Sequence, residues 1–145
     1  MTLDEAIDEM YGMFFTNFPT PAAVIVGYAP ELRWQNNQPS KLPDTSKYWC
    51  RLSTQSVVSG QKTLASPKRR FQHDGLLFVQ LFAPTSDTQG QTKLNQLAEL
   101  AKNVYEGKAT AGNIWFRNVR IVPLSADGKA YRANVVSEYQ YDEIK

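Results

Sequence analysis

Three sets of residues in this sequence are of types that do chemistry. The first lies in "RRFQHDGLLFVQLFAP", Arg69 to Pro84, where the chain's single histidine, His73, stands beside Asp74. A histidine with a carboxylate neighbour can act as a general base, and Cys50 would be the nucleophile for it to activate. On a strand, however, adjacent side chains point to opposite faces, so His73 and Asp74 make a poor dyad. Cys50 lies in "YWCRLS", among aromatic and aliphatic neighbours, and reads as a small core residue. No further set of nucleophile, base and orienting group is evident along the chain, so no catalytic residue is expected. One histidine and one cysteine, with acids gathered mostly at the two ends, give no metal-ligand spacing. "GQKTLAS" has a Gly and a Lys but lacks P-loop spacing. Neither a metal nor a cofactor is expected.

The second set is basic. "SGQKTLASPKRR", Ser59 to Arg70, carries Lys62, Lys68, Arg69 and Arg70 and no acid. Such a loop is either solvated or touches phosphates or an acidic protein, and the lack of compensating acids favours contact. The third set is aromatic: Trp34, Trp49, Trp115, Tyr48, Phe116, Tyr131, Tyr139 and Tyr141. Aromatics on strands fill cores or interfaces, and in nucleic-acid binders they stack on bases. Trp34 sits in a polar stretch, and an aromatic there reads as an anchor to another subunit.

The elements that position these residues follow from periodicity. Thr2 and Glu5 form a capping-box pattern, and Leu3, Ile7, Met10, Tyr11 and Phe14 recur at helical spacing, which predicts a helix over 3–15. Pro19 and Pro21 should stop it. "AAVIVGY", Ala22 to Tyr28, is β-branched and apolar and predicts a buried strand. The polar connection 29–45 contains one short extended candidate, "LRWQ". "YWCRLSTQSV", Tyr48 to Val57, alternates and predicts a strand with one face in the core. A basic loop over 59–70 leads into a strand over 71–82. Its "LLFVQLF" is apolar at every position but one, so it should be central and covered on both faces, with Leu77, Val79 and Leu81 on one and Phe78 and Phe82 on the other. A helix over 91–105 follows, with Gly107 as its stop, then strands over 114–122 and 131–141 joined through an Asp-Gly turn. The expected class is α+β: one mostly antiparallel sheet with two helices packed on it and long loops between strands.

The totals set bounds. The chain has 145 residues, 42% apolar and 21% charged, enough for one domain (1–145) with its own core. A net charge of +2 is too small to argue for bulk attachment to DNA or membrane. The N-terminal "MTLDEAIDEMYGMFF" carries acids where a signal peptide is basic, so export is not expected. No apolar run approaches the ~20 residues of a membrane span, so no membrane contact is expected.

With the segments placed, "YWCRLSTQSVVSGQKTLA", "RFQHDGLLFVQLFAPTSDTQGQTKLNQLAELAKNVYEGK", "IWFRNVRI" and "YRANVVSEYQYDE" resemble the tail terminator (tail completion) proteins of long-tailed bacteriophages. The resemblance covers Tyr48 to Asp142 and is strongest in "GLLFVQLFAP" and "LAELAKNVYEGK". The chain departs from the family pattern in His73-Asp74 before the glycine and in Tyr105 where a Phe is usual. The resemblance implies a structural protein rather than an enzyme. It implies a ring, typically a homohexamer, at the head-proximal end of the tail tube, formed in the host bacterial cytoplasm and carried in the virion. Its partners would be further copies of itself, the tail tube protein and a head-completion or connector protein, with non-specific contact to passing DNA. Trp34, Lys62, Lys68, Arg69 and Arg70 would lie at these contacts. Two alternatives stay open: a small DNA-binding module that uses the 59–70 loop, and another head–tail connector protein.

Overall fold

The computed structural model describes residues 1–35, 43–63 and 68–145. Its first element is helix α1, Leu3–Asn17. The capping box is formed: the Glu5 carboxylate accepts from the Thr2 N–H at 2.7 Å, and Thr2 Oγ1 accepts from the Glu5 N–H at 3.3 Å. Asp4 and Glu5 lie in the first turn, where the helix dipole favours anions. Ala6, Met10 and Phe14 form the buried stripe.

The segment Ala22 to Tyr28 is not a strand. It belongs to a second helix, α2, Pro19–Val26, which starts at a bend on Phe18. Pro19 and Pro21 occupy the first turn, where a missing N–H costs nothing, so they begin a helix as readily as they end one. Gly27, at φ 88°, closes it in the left-handed region, and its N–H bonds Ala23 O at 2.8 Å. Only Ala22 of α2 is buried and Val24 is 84% exposed, so the β-branched run is not buried as a central strand would be. Phe14 and Phe18 stack across the bend with centroids 4.4 Å apart, which joins α1 and α2 into one bent helical unit.

Five strands form one mixed sheet in the order β1-β2-β3-β5-β4. They are β1 Glu31–Trp34, β2 Trp49–Gln61, β3 Arg70–Pro84, β4 Trp115–Leu124 and β5 Ala130–Ile144. All neighbours are antiparallel except β1 and β2. Helix α3, Gly90–Tyr105, lies against β3, β5 and β4. The class is α+β, as the periodicities imply.

The alternation on β3 decides the architecture. Gly75, Leu77, Val79, Leu81 and Ala83 are buried, while the residues between them are half-exposed. In register, Leu81 lies between Cys50 and Ala133, and Val79 between Leu52 and Val135. From the helical side, Leu94, Leu97, Ala98, Ala101, Val104 and Tyr105 close this layer, and the Tyr105 hydroxyl donates to Met10 O at 2.8 Å. Gly75 is fixed by a close approach: a Cβ there would collide with the Tyr139 ring and come within 2.6 Å of Gln55 O.

β3 is central, but it is not covered on both faces. Among the described residues the helices pack on one face only. Leu76, Phe78 and Phe82 stand on the other and are only half-buried, so the apolar run does not report a two-sided core. β2 and β3 also reach further than expected. The residues 59–61 and Arg70 are paired strand, so the basic connection shrinks to the tip of a long hairpin.

Candidate assembly surfaces

The uncovered sheet face is built by strand alternation. Trp49, Arg51 and Ser53 of β2 stand beside Phe82, Gln80 and Phe78 of β3. Those in turn stand beside Arg132, Asn134 and Val136 of β5, and beyond them lie Leu124, Val122 and Arg120 of β4. Trp49 stacks on Phe82 with centroids 4.0 Å apart and planes 6° from parallel. The Arg33 guanidinium lies 5.9 Å over the Trp49 ring, and it pairs with Glu31 at 2.7 Å. Val136 is 5% exposed on this face, shut in by its cross-strand neighbours Phe78 and Arg120. Arg120 and Arg132 each donate to a backbone carbonyl of their own loop, Asn118 O and Ser125 O, which fixes their stems and leaves donors outward. β4 carries a bulge between Arg117 and Arg120, with Asn118 at φ 52°. The extra residues twist this edge strand and re-aim its side chains. The face thus mixes Trp49, Phe82 and Phe78 with polar Gln80 and Asn134, with Arg51, Arg117, Arg120 and Arg132, and with the acids Asp74 and Glu138. Aromatic and arginine side chains are the types enriched at interface hot spots.

Trp34 does not lie in a loop. It is the last residue of β1, on the helix-covered side, half-buried and stacked on Tyr11 at 5.1 Å. Its ring ties the edge strand to α1, so an anchoring role toward another subunit has no support from its position. The residues 36–42 that follow lie outside the described residues.

The four cations of the basic stretch gather at the β2–β3 hairpin tip and are all exposed. Backbone bonds hold the base of this tip. Lys62 N–H bonds Arg70 O at 2.7 Å, and Arg69 exchanges two bonds with Lys145 at 2.7 and 2.9 Å. Arg70 finds an acid on the adjoining strand, Asp142, at 3.1 Å. Lys62, Lys68 and Arg69 form no salt bridge among the described residues. Lys145 adds a fifth cation, with Nζ 5.2 Å over the Phe71 ring and 3.5 Å from Glu143.

His73 has partners that the sequence did not suggest. Ser59 Oγ lies 2.7 Å from His73 Nδ1, and His73 Nε2 lies 3.2 Å from Glu143 Oε1. The ionised Glu143 only accepts, so in neutral His73 the proton sits on Nε2 and Nδ1 accepts from the Ser59 hydroxyl. The His73 ring also stacks on Tyr141 at 5.0 Å. The bond from His73, helped by Lys145, holds the Glu143 carboxyl below its usual range. This is the order nucleophile, base, orienter, contrary to the expectation that no such set exists. The strand pairs Ser59↔His73 and Phe71↔Glu143 create it, and no local spacing could reveal it. The adjoining depression, of about 240 Å³, is lined by Leu3, Ser56, Val58 and Tyr141 besides the three. That is less than the ~300–1,000 Å³ of ligand pockets. Its other lining side chains offer apolar surface and two hydroxyls rather than the pair of N–H donors that acyl transfer needs.

Cys50 is 1% exposed, and burial pushes its thiol far up, away from the reactive thiolate. Among the described residues no three His, Cys, Asp or Glu side chains converge on a metal position, and no helix is long and apolar enough to cross a membrane.

No family model matches the chain, and no curated protein matches it. One solved structure is similar over 92% of this chain and 93% of its own length, with a TM-score of 0.61 at 16% identity. At that identity the likeness shows a shared fold.

Proposed function

We propose that the chain is a structural subunit of a long-tailed phage tail. It assembles as a closed ring, a homohexamer, at the head-proximal end of the tail tube. There it ends tube polymerisation and joins the tail to the head-completion proteins, in particles put together in the host bacterial cytoplasm. The observation that carries this reading is the one-sided sheet: helices cover one face, and the other presents Trp49, Phe78 and Phe82 among arginines. Half-exposed aromatics beside arginines are the side-chain types enriched at contacts with other macromolecules. The partners named here come from the sequence resemblance over Tyr48 to Asp142, the stretch that forms β2, β3, α3, β4 and β5. The hairpin tip with Lys62, Lys68 and Arg69 adds a cationic projection suited to an acidic partner or to passing DNA phosphates. Omitting the protein from an assembling tail should give tubes of unregulated length that fail to join heads. Supplying the purified chain should restore both. Tails of normal length, joined to heads without it, would refute the reading.

One observation favours a second reading. The exposed cations of the tip are those a small DNA-binding module would use. That reading predicts affinity for free duplex DNA that falls steeply with salt, with a slope set by the number of phosphates contacted. The ring reading predicts little affinity for free DNA by the isolated chain.

A further inference from the structure

Near the hairpin tip, three side chains line up across β2, β3 and β5. The Ser59 hydroxyl donates to His73 Nδ1 at 2.7 Å, and His73 Nε2 donates to Glu143 Oε1 at 3.2 Å. A bulge puts the serine in place. From Trp49↔Phe82 to Ser56↔Gly75 the β2–β3 register is regular, and continued unchanged it would set Val58 opposite His73. An extra residue between Ser56 and Val58 moves the pairing by one, so that Ser59 stands opposite His73 instead. Bulges recur beside reactive groups because they re-aim a side chain. Directly opposed residues on antiparallel strands have Cβ atoms about 5 Å apart, within reach of a hydroxyl for an imidazole. The rest of the line is held as well. Tyr141 stacks on the His73 ring at 5.0 Å, and Lys145 Nζ lies 3.5 Å from the same Glu143 oxygen. Ser59 is exposed, while His73 and Glu143 are half-buried, so the hydroxyl-bearing residue is open to solvent and its two supporting groups are sheltered.

We propose that Ser59 is an activated serine that is acylated once, by acyl donors whose leaving group is a weak base, such as aryl esters or acyl phosphates. The inference stands apart from the ring reading. In the step, Ser59 Oγ attacks the acyl carbon and its proton passes to His73 Nδ1. The bond from that carbon to the leaving oxygen breaks, and His73 hands the proton to the departing anion or to solvent. The products are O-acyl-Ser59 and the free phenol or phosphate. Glu143 is a positioning residue: it accepts from His73 Nε2, orients the ring and offsets the positive charge that the ring carries in passing. The same site explains why the reaction stops there. Among the described residues the depression beside Ser59 is lined by no pair of side-chain N–H donors for an oxyanion. Attack on an activated donor expels a stable anion and depends little on such donors. Hydrolysis of the adduct must expel the serine oxygen, a strong base, through an intermediate whose oxyanion nothing holds. The first step is therefore open, the second is blocked, and the adduct persists. The depression, about 240 Å³ and lined by Leu3, Val58 and Tyr141, suits an acetyl-sized group rather than a long chain.

The test treats the purified chain with p-nitrophenyl acetate, follows nitrophenolate by absorbance and locates acetyl groups by peptide mass mapping. Hydroxylamine removes an acetyl group from a serine oxygen and leaves one on a lysine nitrogen, which tells the two apart. Ser59 should be acetylated about 100-fold faster than the other serines, as general-base assistance allows. Hydroxylamine-labile labelling should stop near about one equivalent per chain, the mark of a first step without a second. Ser59→Ala should abolish the labile adduct, and His73→Gln should lower the rate at Ser59 to that of the other serines. Glu143→Gln keeps an acceptor for His73 Nε2 but removes the charge, and should give an intermediate rate. Labelling of Ser59 no faster than of other serines, or unaffected by His73→Gln, would overturn the proposal. Should His73→Gln lower the melting temperature, Glu143→Gln decides, and an unchanged rate in that variant overturns it. Continued nitrophenolate release that Ser59→Ala abolishes would overturn the single acylation, because the second step would then be open.

Discussion

β3 has two faces made from the same kinds of residue. On one, Leu77, Val79 and Leu81 are about 1% exposed beneath the helices. On the other, Leu76, Phe78 and Phe82 are half-exposed, with no helix of the described residues over them. Composition therefore does not distinguish a core face from a contact face. What distinguishes them is whether helices cover them, and among the described residues the helices lie over the first face only. The covered face holds the domain together. The open face, with arginines on it, is the surface that the proposed assembly would use.

The largest effect should separate these faces directly. Leu77→Ala should cost about 2–5 kcal/mol in chemical denaturation, since it leaves a cavity in a closed layer. Phe78→Ala should cost the isolated chain less than about 2 kcal/mol, despite removing more atoms, because its ring is only half out of water. Equal losses would mean that the second face is covered after all. Next, Gly75→Ala should destabilise by about 1–3 kcal/mol, because the added methyl must displace Tyr139. An unchanged denaturation midpoint would show that this approach is looser than described.

At the hairpin tip the balance shifts from stability to contact. Arg69→Glu with Arg70→Glu should change stability by less than about 1 kcal/mol, since the Arg70–Asp142 pair is roughly half exposed. It should nonetheless impair joining of heads to tails, scored as infectious particles. Normal particle yield would make the tip a solvated loop.

A smaller effect is pH dependence. Asp127 is held below the usual carboxylate range by the N–H groups of Ala130 and Lys129, Asp87 by the Tyr48 hydroxyl and the Gln89 N–H, and Glu143 by His73. A carboxyl depressed in the folded state adds stability above its unfolded pKa, and that stability is lost as pH falls through the folded one. The melting temperature should therefore decline below about pH 4 and be flat in this respect above pH 5. Asp127→Asn should shallow the decline. Smallest of all, Ser59→Ala should leave assembly unchanged. Turnover of an ester probe by wild type that disappears in this variant would instead show the Ser59–His73–Glu143 line to be catalytic.

Much of the fold was legible because it follows local rules. The Thr2–Glu5 capping box, the Leu94–Tyr105 stripe and the Tyr131–Tyr141 alternation each determine an element through nearest neighbours, and each lies where its period put it. The misses share a different cause. "AAVIVGY" has strand propensity, but two prolines in the first turn and Gly27 at the end define a helix, and these outweigh β-branching. Trp34 read as an anchor to another subunit because the extended candidate "LRWQ" is too short to show which of its faces the helices cover. The second face of β3 read as covered because periodicity reports apolarity and not what lies above it. The contacts of His73 depend on strand register between residues 14 and 70 positions away.

The proposed function requires assembly through the sheet face that the helices of the single chain leave open. The most direct test is the particle mass in solution, measured for the purified protein across a range of concentrations, alone and with tail tube subunits. A closed species of six chains is expected, formed alone or on the tube end, with no further growth. A strictly single-chain mass under both conditions, with no ring on assembled tails, would contradict it.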